Sequence, residues 1–382
     1  MPAGIYIHIP FCRSRCSYCD FATDVYRNSE AVDRYVSALQ TEIESFDTEK
    51  SKIQNPKSKI EVDTVYFGGG TPSLLSPKQL GKILNTIHKN FSVAEDSEIT
   101  MEMNPATVTL ETLREYKSLG VNRASFGAQT FDDTELKRLG RKHTAEDVRE
   151  TIELLRCADF GNVSFDLIAG LPRQNLKDWE RNLDEALKLN PEHLSLYLLE
   201  IHEATPLAEQ IRSKRQPMPD EDLSAEMYEL MVEKVSEKGY EQYEISNFAL
   251  PNFRSKHNSK YWTLDTVFGF GCSAHSFDGW KKRWANERDT LKYVELIERN
   301  LSPVVEQDEI DRKSEYVFLG LRLSTGIDLD EYQRSFGADL TEEYANELQR
   351  FQEAELIEFS GNRLRLTNKG RLFSNEVFAI FV

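Results

Sequence analysis

Three scarcities bound what this chain can be. No apolar run approaches the ~18 to 20 residues that a membrane-spanning helix requires, which excludes a helical span. Basic residues are few for the number of acids: 47 Lys and Arg against 64 Asp and Glu, a formal charge of -17. That balance argues against a nucleic-acid binder, because tracking phosphates needs clustered Lys and Arg. Cysteine is scarce as well, with five in 382 residues, too few and too crowded for a disulfide framework. The opening "MPAGIYIHIP" carries neither the charged stretch nor the long apolar stretch of a secretory signal. A cytoplasmic protein with at most transient membrane contact is therefore expected, in reducing surroundings that favour thiolates.

What is present begins at "FCRSRCSYCDF", where Cys12, Cys16 and Cys19 crowd together and Phe21 follows. Three thiolates can hold a [4Fe-4S] cube by three irons, leaving the fourth open to a small chelating molecule. The spacing alone also fits zinc held by the cysteines with His8, or a C-x-x-C redox pair at Cys16 and Cys19. Of the other two cysteines, Cys157 on an expected helix reads as core. Cys272 and His275 in "GFGCSAHSF" read as a buried structural thiol and a hydrogen-bonded imidazole.

Along the chain, short β-branched or aromatic runs alternate with helix-period segments, the pattern of repeated βα units on a parallel sheet. Expected strands are "IYIHI" at Ile5, "TVYFGG" at Thr64, "EITMEM" at Glu98, "NRASFGA" at Asn122, "NVSFDLIAG" at Asn162 and "HLSLYLLE" at His193. Helices are expected over 29–44, 77–90, 110–119, 145–157, 176–189 and 223–238. A polar, Lys-rich insertion is expected from about Glu49. The fold class is α/β: a partial parallel (β/α)6 barrel over 1–245, a linking segment over 246–312, and a smaller α+β domain over 313–382 with a winged-helix-like end. Without a basic face that end reads as a packing module. In a parallel barrel the carboxyl ends of the strands share one mouth. Cys12, "GGGTP", Glu102 with "MNP", "GAQT", Asp166 with "AGLP" and Glu200 are therefore expected to converge there.

The stretch "YIHIPFCRSRCSYCDF" resembles the signature of radical S-adenosylmethionine (SAM) proteins, and its flanks resemble the oxygen-independent coproporphyrinogen III oxidase group. The likeness continues in order through "VYFGGGTPSLL", "EITMEMNP", "NRASFGAQTFDDTELKRLGR", "FDLIAGLPRQ", "EISNFA" and "HNSKYW". It implies a [4Fe-4S] cluster on Cys12, Cys16 and Cys19, with SAM bound by Gly69, Gly70, Thr71, Glu102, Gln129, Arg141 and Asp166, and contacted by Tyr6 and Tyr18. Reductive cleavage of SAM would need a small electron-transfer protein as donor.

The oxidases of this group carry a fourth cysteine two residues beyond the third and a longer segment ahead of the cluster. Here Phe21 takes that position and eleven residues precede Cys12. Both departures resemble the haem-chaperone branch, which binds haem as cargo and passes it to haem-requiring proteins such as respiratory enzymes. That resemblance implies haem binding through an H-N-x-x-Y-W motif, here His257, Asn258, Tyr261 and Trp262. It is compatible with a homodimer and with no coproporphyrinogen oxidase activity. A radical SAM enzyme acting on a porphyrinogen is the alternative.

Overall fold

The computed structural model describes residues 1–26, 28–46 and 59–381. The insertion expected from Glu49 lies, but for its last residues, outside them. All six expected strands form, as β1 (Ala3–Ile9), β4 (Glu61–Gly69), β5 (Ser92–Met103), β6 (Arg123–Gln129), β7 (Val163–Ala169) and β8 (His193–Leu198). Two short strands, β2 (Phe11–Cys12) and β3 (Asp24–Val25), pair parallel to frame the cysteine loop. The six strands lie side by side in chain order, each parallel to the next.

Helices connect them on the outside: α1 (Ser29–Glu44), α2 (Pro77–Asn90), α3 (Leu110–Ser118), α4 (Asp133–Arg138), α5 (Ala145–Cys157) and α6 (Leu176–Lys188). Their starts are written in the sequence. Ser76 with Gln79, and Thr144 with Asp147, form reciprocal capping boxes, while Asn28 and Asn175 cap α1 and α6 with their side chains, satisfying amides that the first turn leaves free. The short α4, only six residues, escaped the periodicity reading. After it come α7 (Pro206–Arg212) and α8 (Glu221–Ser236).

The residues from 241 to 309, most of them in the segment expected to link the domains, continue the same sheet. Strands β9 (Glu241–Gln242) and β10 (Asn247–Ala249) add antiparallel beyond β8. On the opposite edge β11 (Val267–Phe270) pairs parallel to β1, followed by β12 (His275–Phe277), β13 (Lys282–Asn286) and β14 (Val304–Glu309). The same segment supplies α9 (Lys256–Trp262) and α10 (Thr290–Glu298). These pieces are two to nine residues long and Gly-interrupted, which is why no period announces them. The C-terminal unit starts with α11 (Arg312–Arg322) and gathers its own core, including Leu321, Tyr332, Phe351 and Leu364, around a three-stranded sheet of β15 (Ile327–Asp328), β17 (Arg363–Leu366) and β16 (Ile357–Ser360).

Alternation along the barrel strands sorts the two faces. Ile5, Ile7, Val65, Phe67, Ile99, Met101, Phe126, Phe165, Leu167, Leu194 and Leu196 join the helices in one core. The intervening residues are polar or tyrosine: Tyr6 and His8, Thr64 and Tyr66, Glu98, Thr100 and Glu102, Arg123 and Ser125, Ser164 and Asp166, His193, Ser195 and Tyr197. Strands of a parallel sheet covered on both faces ordinarily read as continuous apolar runs, and a closed barrel interior is ordinarily filled with branched apolar side chains. Here the inward positions instead carry polar and tyrosine side chains, most of them buried.

Candidate functional site

The cysteines sit on a loop pinned by backbone. Tyr26 donates its N–H to Cys12 O at 2.7 Å, Ser17 donates to Leu139 O at 2.9 Å, and Leu207 donates to Ser17 O at 2.8 Å. The glycines beside the loop allow this approach. A Cβ on Gly70 would stand 2.7 Å from Pro10 O and 2.8 Å from Phe11 O, and one on Gly69, at φ +109°, would meet the His8 ring at 2.6 Å, a conformation and a contact that only glycine tolerates.

A closed circuit of side chains then joins two of the thiols. Thr71 Oγ1 donates to Cys12 Sγ at 3.5 Å and accepts from Asn104 Nδ2 at 2.7 Å. Asn104 Oδ1 accepts from Arg141 Nη2 at 2.8 Å, and Arg141 Nη1 donates to Cys16 Sγ at 3.5 Å. Arg141 also donates to Gly127 O at 2.7 Å, at the mouth end of β6. Asn104 is the polar residue of "MNP" just past β5, one of the strand-end segments expected at the mouth, though no role of its own is legible in the sequence. Burial pushes the Cys12 thiol up to about 11 and Cys19 upward. A metal reverses that cost by binding the thiolate.

His8 is unavailable to a metal. Its Nε2 donates to Ala22 O at 2.9 Å, so its Nδ1 accepts from Tyr6 OH at 3.1 Å. Among the described residues no three Cys, His, Asp or Glu side chains gather around a point that would hold one ion. The donor set therefore does not fit zinc bound by the cysteines and His8. Three disulfide-free thiols on one short loop, two of them receiving hydrogen bonds from Thr71 and Arg141, suit a cube held at three of its irons.

Behind the loop the lumen holds the acids. Glu102 accepts from Tyr66 OH at 2.7 Å and from Gly69 N at 3.1 Å, and burial raises its carboxyl to about 7. Burial likewise raises Asp166 to about 6, against the charges of Arg123 and Arg141. Gln129 follows a bulge in β6 and adopts φ +68°, which folds its side chain back over Gly127. Tyr18 packs on Leu139, Ile168 and Leu171. Tyr197 and Tyr261 are 40% and 38% exposed, yet burial raises both phenols; the rings border open space while their hydroxyls lie deep. Glu200, expected at the mouth, is instead solvent-exposed beside His202, because the chain leaves the sheet two residues earlier.

The H-N-x-x-Y-W motif lies at the other end of the barrel. It forms α9, whose first amides are held by the buried Glu98 carboxylate, Lys256 N and His257 N each at 3.1 Å. Lys260 fastens the helix to Asp63 and Pro2 O, both at 2.8 Å. His257 points into the lumen, with Nδ1 2.9 Å from Thr64 Oγ1 and Nε2 3.2 Å from Tyr261 OH, stacked on Tyr66 and Tyr6. Burial, then the Lys260 and Arg123 charges, lowers its pKa to about 3, so the ring is neutral. Trp262 points away, under the Arg322 guanidinium at 4.3 Å, and Asn258 is half-buried at the helix start. His257 and Tyr261 thus share a face that Trp262 does not. Cys272 is buried between Tyr35 and Thr290, as a structural thiol should be. His275 is exposed. Cys157 is exposed rather than core, since it falls on the outer side of the last turn of α5.

Family comparisons agree with this layout. The Radical SAM superfamily model matches residues 6–186 and the HemN C-terminal domain model matches residues 307–373. The chain is 38% identical to the heme chaperone HemW of Bacillus subtilis (strain 168), over 99% of this chain and 98% of that one. It is 31% identical to the heme chaperone HemW of Haemophilus influenzae, over 100% and 98%. A radical S-adenosyl methionine domain-containing protein 1, mitochondrial, of Bos taurus is 35% identical over 87% of this chain and 76% of its own length. Among solved structures, coproporphyrinogen III oxidase from Escherichia coli, described as a radical SAM enzyme, superposes with a TM-score of 0.84 at 22% identity, covering 100% of this chain and 90% of that one, a likeness of fold. With full-length identity above 30% to several curated relatives, the chain belongs to the radical SAM superfamily and, within it, to the haem-chaperone family of the HemW proteins.

Proposed function

We propose that this protein is a haem chaperone: it binds haem as cargo, carries a [4Fe-4S] cluster with SAM, and hands haem to haem-requiring proteins. The observation that carries the reading is the end-to-end identity with HemW proteins, joined to Phe21, 67% exposed on the cysteine loop where the oxidases place a further cysteine. When bound, the cluster and SAM supply one-electron chemistry. Cys12, Cys16 and Cys19 would hold it. Gly69, Gly70 and Thr71 would admit the methionine end of SAM, while Glu102, Gln129, Arg141, Asp166, Tyr6 and Tyr18 line its place. A small electron-transfer protein would serve as donor.

For haem, the neutral His257 is suited to an axial position. Its Nε2 is covered by the hydroxyl of Tyr261, whose ring is 38% exposed, so haem binding there would have to displace that contact. The same lumen, with Tyr66 and Tyr6 stacked beside His257, offers flat apolar area. Coproporphyrinogen oxidase activity is not expected. A cytoplasmic, homodimeric protein accords with this role, and no helix among the described residues is long and apolar enough to cross a membrane.

The test is one anaerobic sample of reconstituted protein, titrated with haem and separately supplied with reductant, SAM and coproporphyrinogen III. Stoichiometric haem uptake without turnover is expected. Formation of protoporphyrinogen IX overturns the chaperone reading, and an unaltered haem spectrum in His257→Ala overturns the axial role.

A further inference from the structure

At the floor of the lumen lies a buried cation, Arg123, that makes no ion pair among the described residues although it feels the charges of Glu102 and Asp166. Arg123 opens β6 and is 1% exposed, yet its Nε and Nη1 have no hydrogen-bond partner among the described residues. Thr100, its register partner on β5, is fully buried with Oγ1 likewise unpartnered. A third orphan, Asn247 Oδ1, belongs to the strand that closes the sheet beyond β8. The nearby polar groups are bonded elsewhere: His193 to Ser164 at 2.7 Å and Tyr243 at 2.8 Å, Glu102 to Tyr66 and Gly69, Glu98 to the first amides of α9, and Asp166 to Ser195. A buried charge with unmade hydrogen bonds is among the most costly features a fold can retain. Such a group in a native interior calls for a partner, a ligand or water among them.

We propose that the lumen floor is an anion pocket in which Arg123, with Thr100 beside it, receives a carboxylate of a ligand that enters the barrel. This is not the place expected for the methionine carboxylate of SAM: Gln129 ends β6 at the mouth, and the strand between carries Arg123 roughly 20 Å away. It rests on the haem reading for the ligand's identity, since haem presents two propionate carboxylates on an otherwise apolar plate. His257 lies within reach of the Arg123 charge, so iron and carboxylate would be held by neighbouring groups of one floor.

The experiment compares haem with its dimethyl ester, which keeps the macrocycle and removes both negative charges, on reconstituted full-length protein. Wild type should bind haem roughly ten- to a hundredfold more tightly than the ester, the worth of a charged hydrogen bond. Arg123→Met should bind both equally, and Arg123→Lys should restore part of the preference. An undiminished preference in Arg123→Met overturns the proposal, as does a fall in its SAM affinity with the haem-to-ester ratio intact, which would assign the pocket to SAM. Ligand-free Arg123→Met should melt at or above the wild-type temperature, because it removes an unpaired charge; a large drop would mark Arg123 as structural and count against the pocket. If wild type takes up neither haem nor ester, the chaperone reading fails separately. The pocket is then decided by sodium propionate, which should raise the melting temperature of wild type and not of Arg123→Met. No rise in wild type would mean that water alone fills the floor.

Discussion

Asn104 joins the two halves of the cysteine site, since its amide donates to Thr71 and accepts from Arg141, each of which reaches a different thiol. Replacing it with Ala leaves the buried Thr71 without a donor and frees one arm of Arg141. Asn104→Ala should cost about 1 to 3 kcal/mol by urea unfolding and lower the iron bound per chain on anaerobic reconstitution. Full iron content would show that the circuit does not position the thiols. Glu102 makes a prediction about pH. Its carboxyl ionises near 7 when folded, raised chiefly by burial, against an ordinary 4.5. Between those values the folded chain keeps a proton that the unfolded chain has released. The contribution is therefore complete below pH 4.5 and declines as pH rises to 7, by on the order of 3 kcal/mol. Measured against wild type, Glu102→Gln should lack this decline, so the gap between the two unfolding free energies should change over that window and be flat above it.

At the scale of elements, α9 shows what could be read in advance and what could not. The barrel strands are legible because each is a short β-branched or aromatic run between helices with written caps, and the polar residues closing them point to one mouth. Helix α9 is seven residues long, with no period to detect. Its place is fixed by tertiary contacts: Glu98 on its first amides, Lys260 on Asp63, and Gly4, where a Cβ would stand 3.0 Å from Lys260 and 3.2 Å from the His257 ring. Sequence proximity also concealed that His257 and Trp262, five positions apart, face different partners, as helical geometry requires. Even so, the motif's distance from the cysteines is bridged: His257 stacks on Tyr6, whose hydroxyl donates to His8, which holds Ala22 beyond Cys19. Glu98→Gln weakens the charged hold on α9 without changing shape. It should lower stability by about 1 to 2 kcal/mol and haem affinity with it, read by titration at constant iron content. Unchanged haem affinity at reduced stability would separate the helix from cargo binding.

For the whole molecule the question is why a separate C-terminal unit is attached to a barrel that carries both the cysteine loop and the H-N-x-x-Y-W motif. Its first helix, α11, ends on Arg322, which donates to the fully buried Glu244 at 3.4 Å and lies over the Trp262 ring that closes α9. Ser324 continues the attachment by donating to Tyr243 O at 3.0 Å, and Tyr243 in turn holds His193 on the lumen floor. The unit is thus a brace for the end of the barrel where the H-N-x-x-Y-W motif sits. Arg322→Ala removes the counter-charge of Glu244, leaving that carboxylate only Ser246 N and Asn247 Nδ2. A buried charge left uncompensated costs about 3 kcal/mol or more, so the variant should melt well below wild type. If the brace also positions α9, haem affinity should fall while iron content and SAM binding at the opposite mouth stay unchanged, because none of the hydrogen bonds of the cysteine circuit among the described residues runs to α11. Haem, iron and SAM binding falling together would point to general unfolding, and haem binding unchanged in a destabilised variant would limit the C-terminal unit to stability alone.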